Sequence, residues 1–279
     1  MITQKLESIQ EILQFLCSCS NSFVYRGHAS AKWKLESSLT RASLVKDAQT
    51  LNELEDFSIL EFKSKFSIYK GVNEKPSTDL GWLSMMQHFG SPTRLIDFTT
   101  SPYVALHFIL ESFNPSFYDH DDSFCLIAFN YSKLNEKLLS KINTNANGTI
   151  YNLESLYKDS ESIFDKFFKN NNNEMPLFMV NEPMSSNVRL DRQRGTFLIS
   201  SYCDDIIAEL SKVEYNDIMF SKTLIPYELY QDIYRLLRQM NISTKVIYGD
   251  LEGLGKSLKA DIFYQSLNRK IANESLIDD

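Results

Sequence analysis

Apolar positions recur at helical spacing in several stretches of the chain. Residues 4–19 place Leu6, Ile9, Ile12, Leu13 and Leu16 on one face and predict an amphipathic opening helix. Residues 47–70 alternate acidic and apolar positions with the same period through Leu51, Leu54, Phe57, Leu60, Phe62 and Phe66, which predicts a second. Residues 83–89 read as a helix that stops at Gly90 with Pro92 just beyond, and residues 102–111 as one with Pro102 in its first turn. Residues 227–240 and 254–265 complete the helical set. Residues 22–26 are β-prone and end at Gly27, residues 123–130 form an apolar run suited to a buried strand, and residues 195–200 and 221–226 read as two more. Residues 245–248 are expected as a short strand or turn.

Residues 131–187 carry Asn143, Asn145, Asn147 and the run Asn170 to Asn173, a composition that predicts loops rather than core. No internal repeat and no Gly/Ser-rich linker divides the chain, so scattered strands among helices indicate one α+β domain.

Composition narrows the class. In 279 residues, 43% hydrophobic and 23% charged with 9 Gly and 7 Pro, a globular protein is expected and a collagen-like, disordered or coiled-coil one is excluded. The 29 Lys and Arg stand against 36 Asp and Glu, a formal net charge of −7, so binding of duplex DNA through overall charge is not expected. Two stretches oppose that balance: Arg26, Lys32, Lys34, Arg41 and Lys46 against Glu36, and Arg189, Arg192 and Arg194 against Asp191. They suit an anionic ligand or ordinary surface. Four irregularly spaced cysteines, with Cys17 and Cys19 on different helix faces, predict free thiols and no metal site. The first residues carry charge and no continuous apolar run, so neither a leader nor a membrane span is expected there, and a cytoplasmic location is.

Four segments hold candidate chemistry. In Tyr25-Arg26-Gly27-His28 an arginine at a strand end beside a glycine offers a bidentate fork to phosphate or carboxylate, or is a plain surface residue. Residues 86–108 bring His88, Arg94 and Asp97 together with Thr99, Thr100 and Ser101 before a helix start. The hydroxyls could cap that helix or position an anion, His88 is a general base or a buried histidine, and Arg94 and Asp97 could form a local ion pair. Residues 187–200 place four charges and Gln193 just before a strand, as a solvated turn or part of a site. The three glycines of residues 246–258 fit neither dinucleotide nor Walker spacing, and a phosphate loop there is rejected.

The Tyr25-Arg26-Gly27 motif, residues 33–41, the Gln-His-Phe-Gly-Ser-Pro-Thr-Arg-Leu-Ile-Asp block of residues 87–97, the RQRGTF segment and residues 223–258 resemble the FRG-domain family. The resemblance spans about residues 21–260 and implies an N-terminal helix (1–20), the domain (21–265) and a C-terminal tail (266–279). A weaker likeness is to ADP-ribosyltransferases of the Arg–Ser-Thr-Ser–Glu type. It implies a single α+β domain of curved, split β-sheets with flanking helices, and NAD as co-substrate. Carried over by position, Arg26 would hold the NAD phosphates with Tyr25, Gly27, His28 and Arg94 nearby, and Thr99, Thr100 and Ser101 would brace the site.

Gln193 stands nearest the family's glutamate and lacks its charge, so Asp97, Glu182 or Asp191 would have to supply it. His88 with Asp97 is an alternative catalytic set. The implied activity is transfer of ADP-ribose to a protein or RNA by a toxin or phage-defence effector, restrained by an antitoxin or regulatory partner. An NAD glycohydrolase, a non-catalytic nucleotide- or partner-binding module, and a nuclease are the other classes the sequence leaves open.

Overall fold

The structure, a computed structural model, describes residues 2–69, 75–114, 122–144, 150–169, 176–181, 188–202 and 205–275. Seven strands form one sheet: β1 (Ile2–Lys5), β2 (Phe23–His28), β3 (Ile96–Thr99), β4 (Phe124–Asn130), β5 (Phe178–Asn181), β6 (Gly195–Ser200) and β7 (Ser221–Ile225). Their order is β1-β7-β4-β2-β3-β6-β5, parallel only between β1 and β7. The fold is therefore α+β.

Alternation along the strands sorts the core by sheet face. Tyr25, Leu126 and Ala128 face the helices Ile9–Ser18, Pro102–Ser112 and Tyr230–Gln239. Phe197, Ile199 and Met179 continue that face against Asp79–His88, Tyr131–Thr144 and Ser160–Phe167. Val24, Ile127, Phe129 and Leu198 point the other way, onto Ile206, Leu210, Tyr215 and Ile218. With both faces covered, β4 is buried over its first six residues, which is why its sequence is an unbroken apolar run.

Pro102–Ser112 lies so close on β2 that only a glycine fits at position 27. A Cβ there would collide with the Ala105 carbonyl oxygen and lie 2.6 Å from Ile109 Cγ1. Gly27→Ala is expected to destabilise the fold by about 1–3 kcal/mol, read from the midpoint of urea unfolding.

Several elements differ from the sequence reading. The opening helix starts at Ile9, capped by Ser8, whose Oγ accepts from Glu11 N. Residues 2–5 are instead an exposed edge strand, held by backbone pairing and a hydrogen bond from Gln4 Nε2 to Thr223 Oγ1, and lacking an apolar face to announce it. Residues 245–248 fall in the helix Thr244–Tyr248, where Ile247 and Tyr248 pack on Val104 and override a local strand preference.

The region expected as loops holds Tyr131–Thr144, Leu153–Lys158, Ser160–Phe167 and β5. Asn143 works there as a connector: its Nδ2 donates to the Tyr151 carbonyl and its Oδ1 accepts from Tyr151 N, both at 2.8 Å. Asn145, Asn147 and Asn170 to Asn173 lie outside the described residues. Of the tail expected over residues 266–279, residues 266–275 belong to the helix Leu251–Ser275. No helix among the described residues is long and apolar enough to cross a membrane.

Candidate active site

The sheet opens between β2 and β3. Their recorded pairing is the single couple Tyr25 and Thr99, whereas β2 pairs with β4 along its whole length and β3 with β6 likewise. A cavity of about 280 Å³ lies at this opening. The sheet contributes Arg26, Gly27, Asp97, Thr99 and Gly195, the flanking helices Gln87, His88 and Phe108, and the later chain Arg189, Gln193 and Tyr248.

Arg26 bridges the opening. Its Nε donates to His28 Nε2 at 3.0 Å and its Nη1 to the Asp97 carbonyl at 2.5 Å, while Nη2 has no partner among the described residues. Two fixed donors hold the guanidinium plane, and the third nitrogen is left to a ligand. Accepting from Arg26 requires a neutral His28. Burial, and then the charges of Arg26, Lys222 and Arg41, push its pKa down to about 3.

Asp97 is anchored through Gln87. Gln87 Nε2 donates to Asp97 Oδ2 at 2.8 Å, and Thr93 Oγ1 donates to Gln87 Oε1 at 2.6 Å. The Gln-His…Pro-Thr-Arg-Leu-Ile-Asp block is thus a hydrogen-bond chain that fixes one carboxylate at the cavity wall. Thr99 Oγ1 donates to the Gln193 carbonyl at 2.7 Å and accepts from Ser101 N at 3.0 Å, which seats the residue 193 turn beside the strand end.

His88 lies half-buried on the same wall. Burial and the nearby Arg189 lower its pKa, against a smaller opposing effect of Glu252 and Asp250. Among the described residues no hydrogen bond joins it to Asp97.

Other expected residues lie elsewhere. Arg94 forms no local pair with Asp97. It is 1% exposed, donates from Nε to both Glu55 carboxylate oxygens (2.9 and 2.7 Å), from Nη1 to the Phe168 carbonyl and from Nη2 to Asn52, and lies against Tyr202. Arg94 precedes β3 and Asp97 lies within it, and residues three apart on an extended chain face opposite sides. Tyr25 touches the cavity, but its ring is in the core and its hydroxyl donates to the Ser20 carbonyl. His28 sits behind Arg26, Ser101 caps the next helix by accepting from Val104 N, and Thr100 and Asp191 line a different cavity. Glu182 lies outside the described residues.

The sequence reading held Arg189 only as one charge of the residue 187–200 segment and missed its pairing with Tyr248 and Glu111 on the far wall. Arg189 stacks on Tyr248 with 3.8 Å between guanidinium carbon and ring centre, and Tyr248 donates to Glu111 Oε1 at 2.8 Å. Burial raises the Glu111 carboxyl, with Tyr248, Lys256 and Arg189 opposing. No local motif marks these residues, which come from three distant segments.

Buried histidines make the fold acid-sensitive. His107 is held down to about 4, chiefly by burial and then by Arg238. Like His28, it stays neutral in the folded state while the unfolded chain binds a proton below about 6.5. Stability from both is full above that value and is lost as pH falls toward 4. The stability gap between wild type and His107→Gln, measured by urea unfolding, should therefore shrink from about pH 7.5 to about pH 5. A constant gap would remove this histidine from the acid response.

The fold and opening define an α+β protein with a charged cleft between two strands of one sheet. More particularly, residues 21–116 match the model of the FRG-domain family. The match supplies β2, β3 and the cavity walls from Arg26 to Ser112, while Arg189, Gln193 and Tyr248 come from beyond it, as do the RQRGTF and residue 223–258 resemblances. No curated protein and no solved structure matches the chain.

Proposed function

We propose that the cleft binds NAD and that the protein transfers ADP-ribose from it to a macromolecule, a protein or an RNA. The observation that carries this reading is that Arg26 and Thr99, seventy-odd residues apart in sequence, line one cavity where the sheet opens. The guanidinium has an unused nitrogen suited to a pyrophosphate oxygen. Among the described residues β2 has no strand partner on the β3 side beyond Tyr25, so backbone near Gly27 would be available to a nicotinamide carboxamide.

In the reaction the bond from ribose C1′ to the nicotinamide nitrogen breaks and its electron pair leaves with nicotinamide. The acceptor nucleophile then bonds C1′ and gives up its proton. Gln193 cannot stabilise the developing cation, whereas Asp97, on the same wall and fixed by Gln87, brings a carboxylate. His88, which lines the same cavity, would serve as general base for the acceptor's proton. An enzyme of this kind harms its own cell unless a partner restrains it, so growth arrest on expression is its cellular signature.

The test is incubation of the purified protein with cell lysate and NAD labelled in its adenylate half. Label on protein or RNA with stoichiometric release of nicotinamide is expected. Free labelled ADP-ribose alone would make the activity hydrolytic, and intact NAD would refute the reading.

A further inference from the structure

Phe57, Glu61, Lys65 and Tyr69 follow one another at a spacing of four residues and line an open groove of about 680 Å³. The first three lie on one stripe of the helix Ala48–Phe66, and Tyr69 continues the row in the turn after it. The groove floor is aromatic: Phe62 and Phe66 pack on Trp82, with ring centres 6.2 and 5.1 Å away. Its rim is open to water, with Phe57 61%, Tyr69 75% and Phe89 57% exposed. Large apolar side chains gathered in this way mark a surface that meets another one.

The charges say which one. The groove is lined by one carboxylate, Glu61, and one ammonium, Lys65, which pair with each other along the helix. With no net charge it selects neither an acidic protein nor an anionic membrane. Along the row the order is aromatic, acid, base, aromatic, and turned end over end that order complements itself. Antiparallel pairing sets Phe57 against Tyr69 and Glu61 against Lys65, whereas parallel pairing would set like charges together.

We propose that this groove is the interface of a two-fold dimer, in which the row packs antiparallel on the same row of a second copy. Glu61 pairs with Lys65 of the partner subunit on both sides of the axis, and each Phe57 enters the opposite groove. The dimer does not rest on the NAD reading, because no residue lining the groove lines the first cavity.

The test is sedimentation velocity of the full chain as a function of concentration. The wild type is expected to form a dimer, and Phe57→Glu to raise its dissociation constant by about 100-fold or more. Glu61→Lys and Lys65→Glu should each weaken the dimer by about tenfold, since like charges then meet across the axis. The double variant Glu61→Lys with Lys65→Glu restores opposite charges and should dimerise as the wild type does. Phe57, Glu61 and Lys65 are exposed, so the urea midpoint of each monomer should stay near the wild-type value. A wild type that is monomeric at every concentration would give the groove to another partner and overturn the proposal. So would single charge variants that dimerise like the wild type, or a double variant no better than the singles.

Discussion

Arg26→Ala is expected to reduce NAD-dependent labelling by about 100-fold or more while the protein stays folded. The side chain is half-buried at the opening between β2 and β3 and belongs to no hydrophobic cluster. Removing it frees His28 Nε2 and the Asp97 carbonyl, both beside the cavity, so little of the core is disturbed. Arg26→Lys keeps the charge and loses the planar fork, and should fall between wild type and alanine. Initial rates at several NAD concentrations would show the loss chiefly as weaker binding if the guanidinium grips the pyrophosphate in the ground state. Full activity in Arg26→Ala would remove the arginine from the mechanism.

The largest stability effect is expected from Arg94→Met. The substitution leaves the Glu55 carboxylate without its counter-charge in a site 3% exposed, and unfolds the protein by about 3–5 kcal/mol in urea experiments. Arg94→Met with Glu55→Leu removes both charges and should regain most of that loss. The double variant should also still bind NAD, because neither residue lines the cavity. If Arg94→Met left stability unchanged and abolished NAD binding instead, Arg94 would belong to the ligand site after all.

Most of the architecture was legible because burial writes itself into periodicity. The covered strand β4 reads as an apolar run, and Pro102–Ser112 announces itself through a proline start and an apolar face. The edge strand β1 was illegible, since none of its four residues is buried. Thr244–Tyr248 was misread because its β-branched residues are held helical by Val104 rather than by their own preference.

At the site, local motifs gave Arg26, Asp97, His88, Thr99 and Gln193, all of which line one cavity. Alternation then decided what spacing could not. Thr99 ends β3 and Thr100 begins the bend after it, so the two line different cavities although they adjoin in sequence. Arg189, Tyr248 and Glu111 meet only through the packing of Pro102–Ser112 against the later helices, a long-range event that no short segment encodes.

The most direct measurement is a crystal structure of the protein with NAD or a slowly cleaved analogue. The dinucleotide is expected between β2 and β3, with a pyrophosphate oxygen about 3 Å from the Arg26 guanidinium and the ribose C1′ facing Asp97. A dinucleotide bound away from Arg26, or a cleft that stays empty at saturating NAD, would contradict the account.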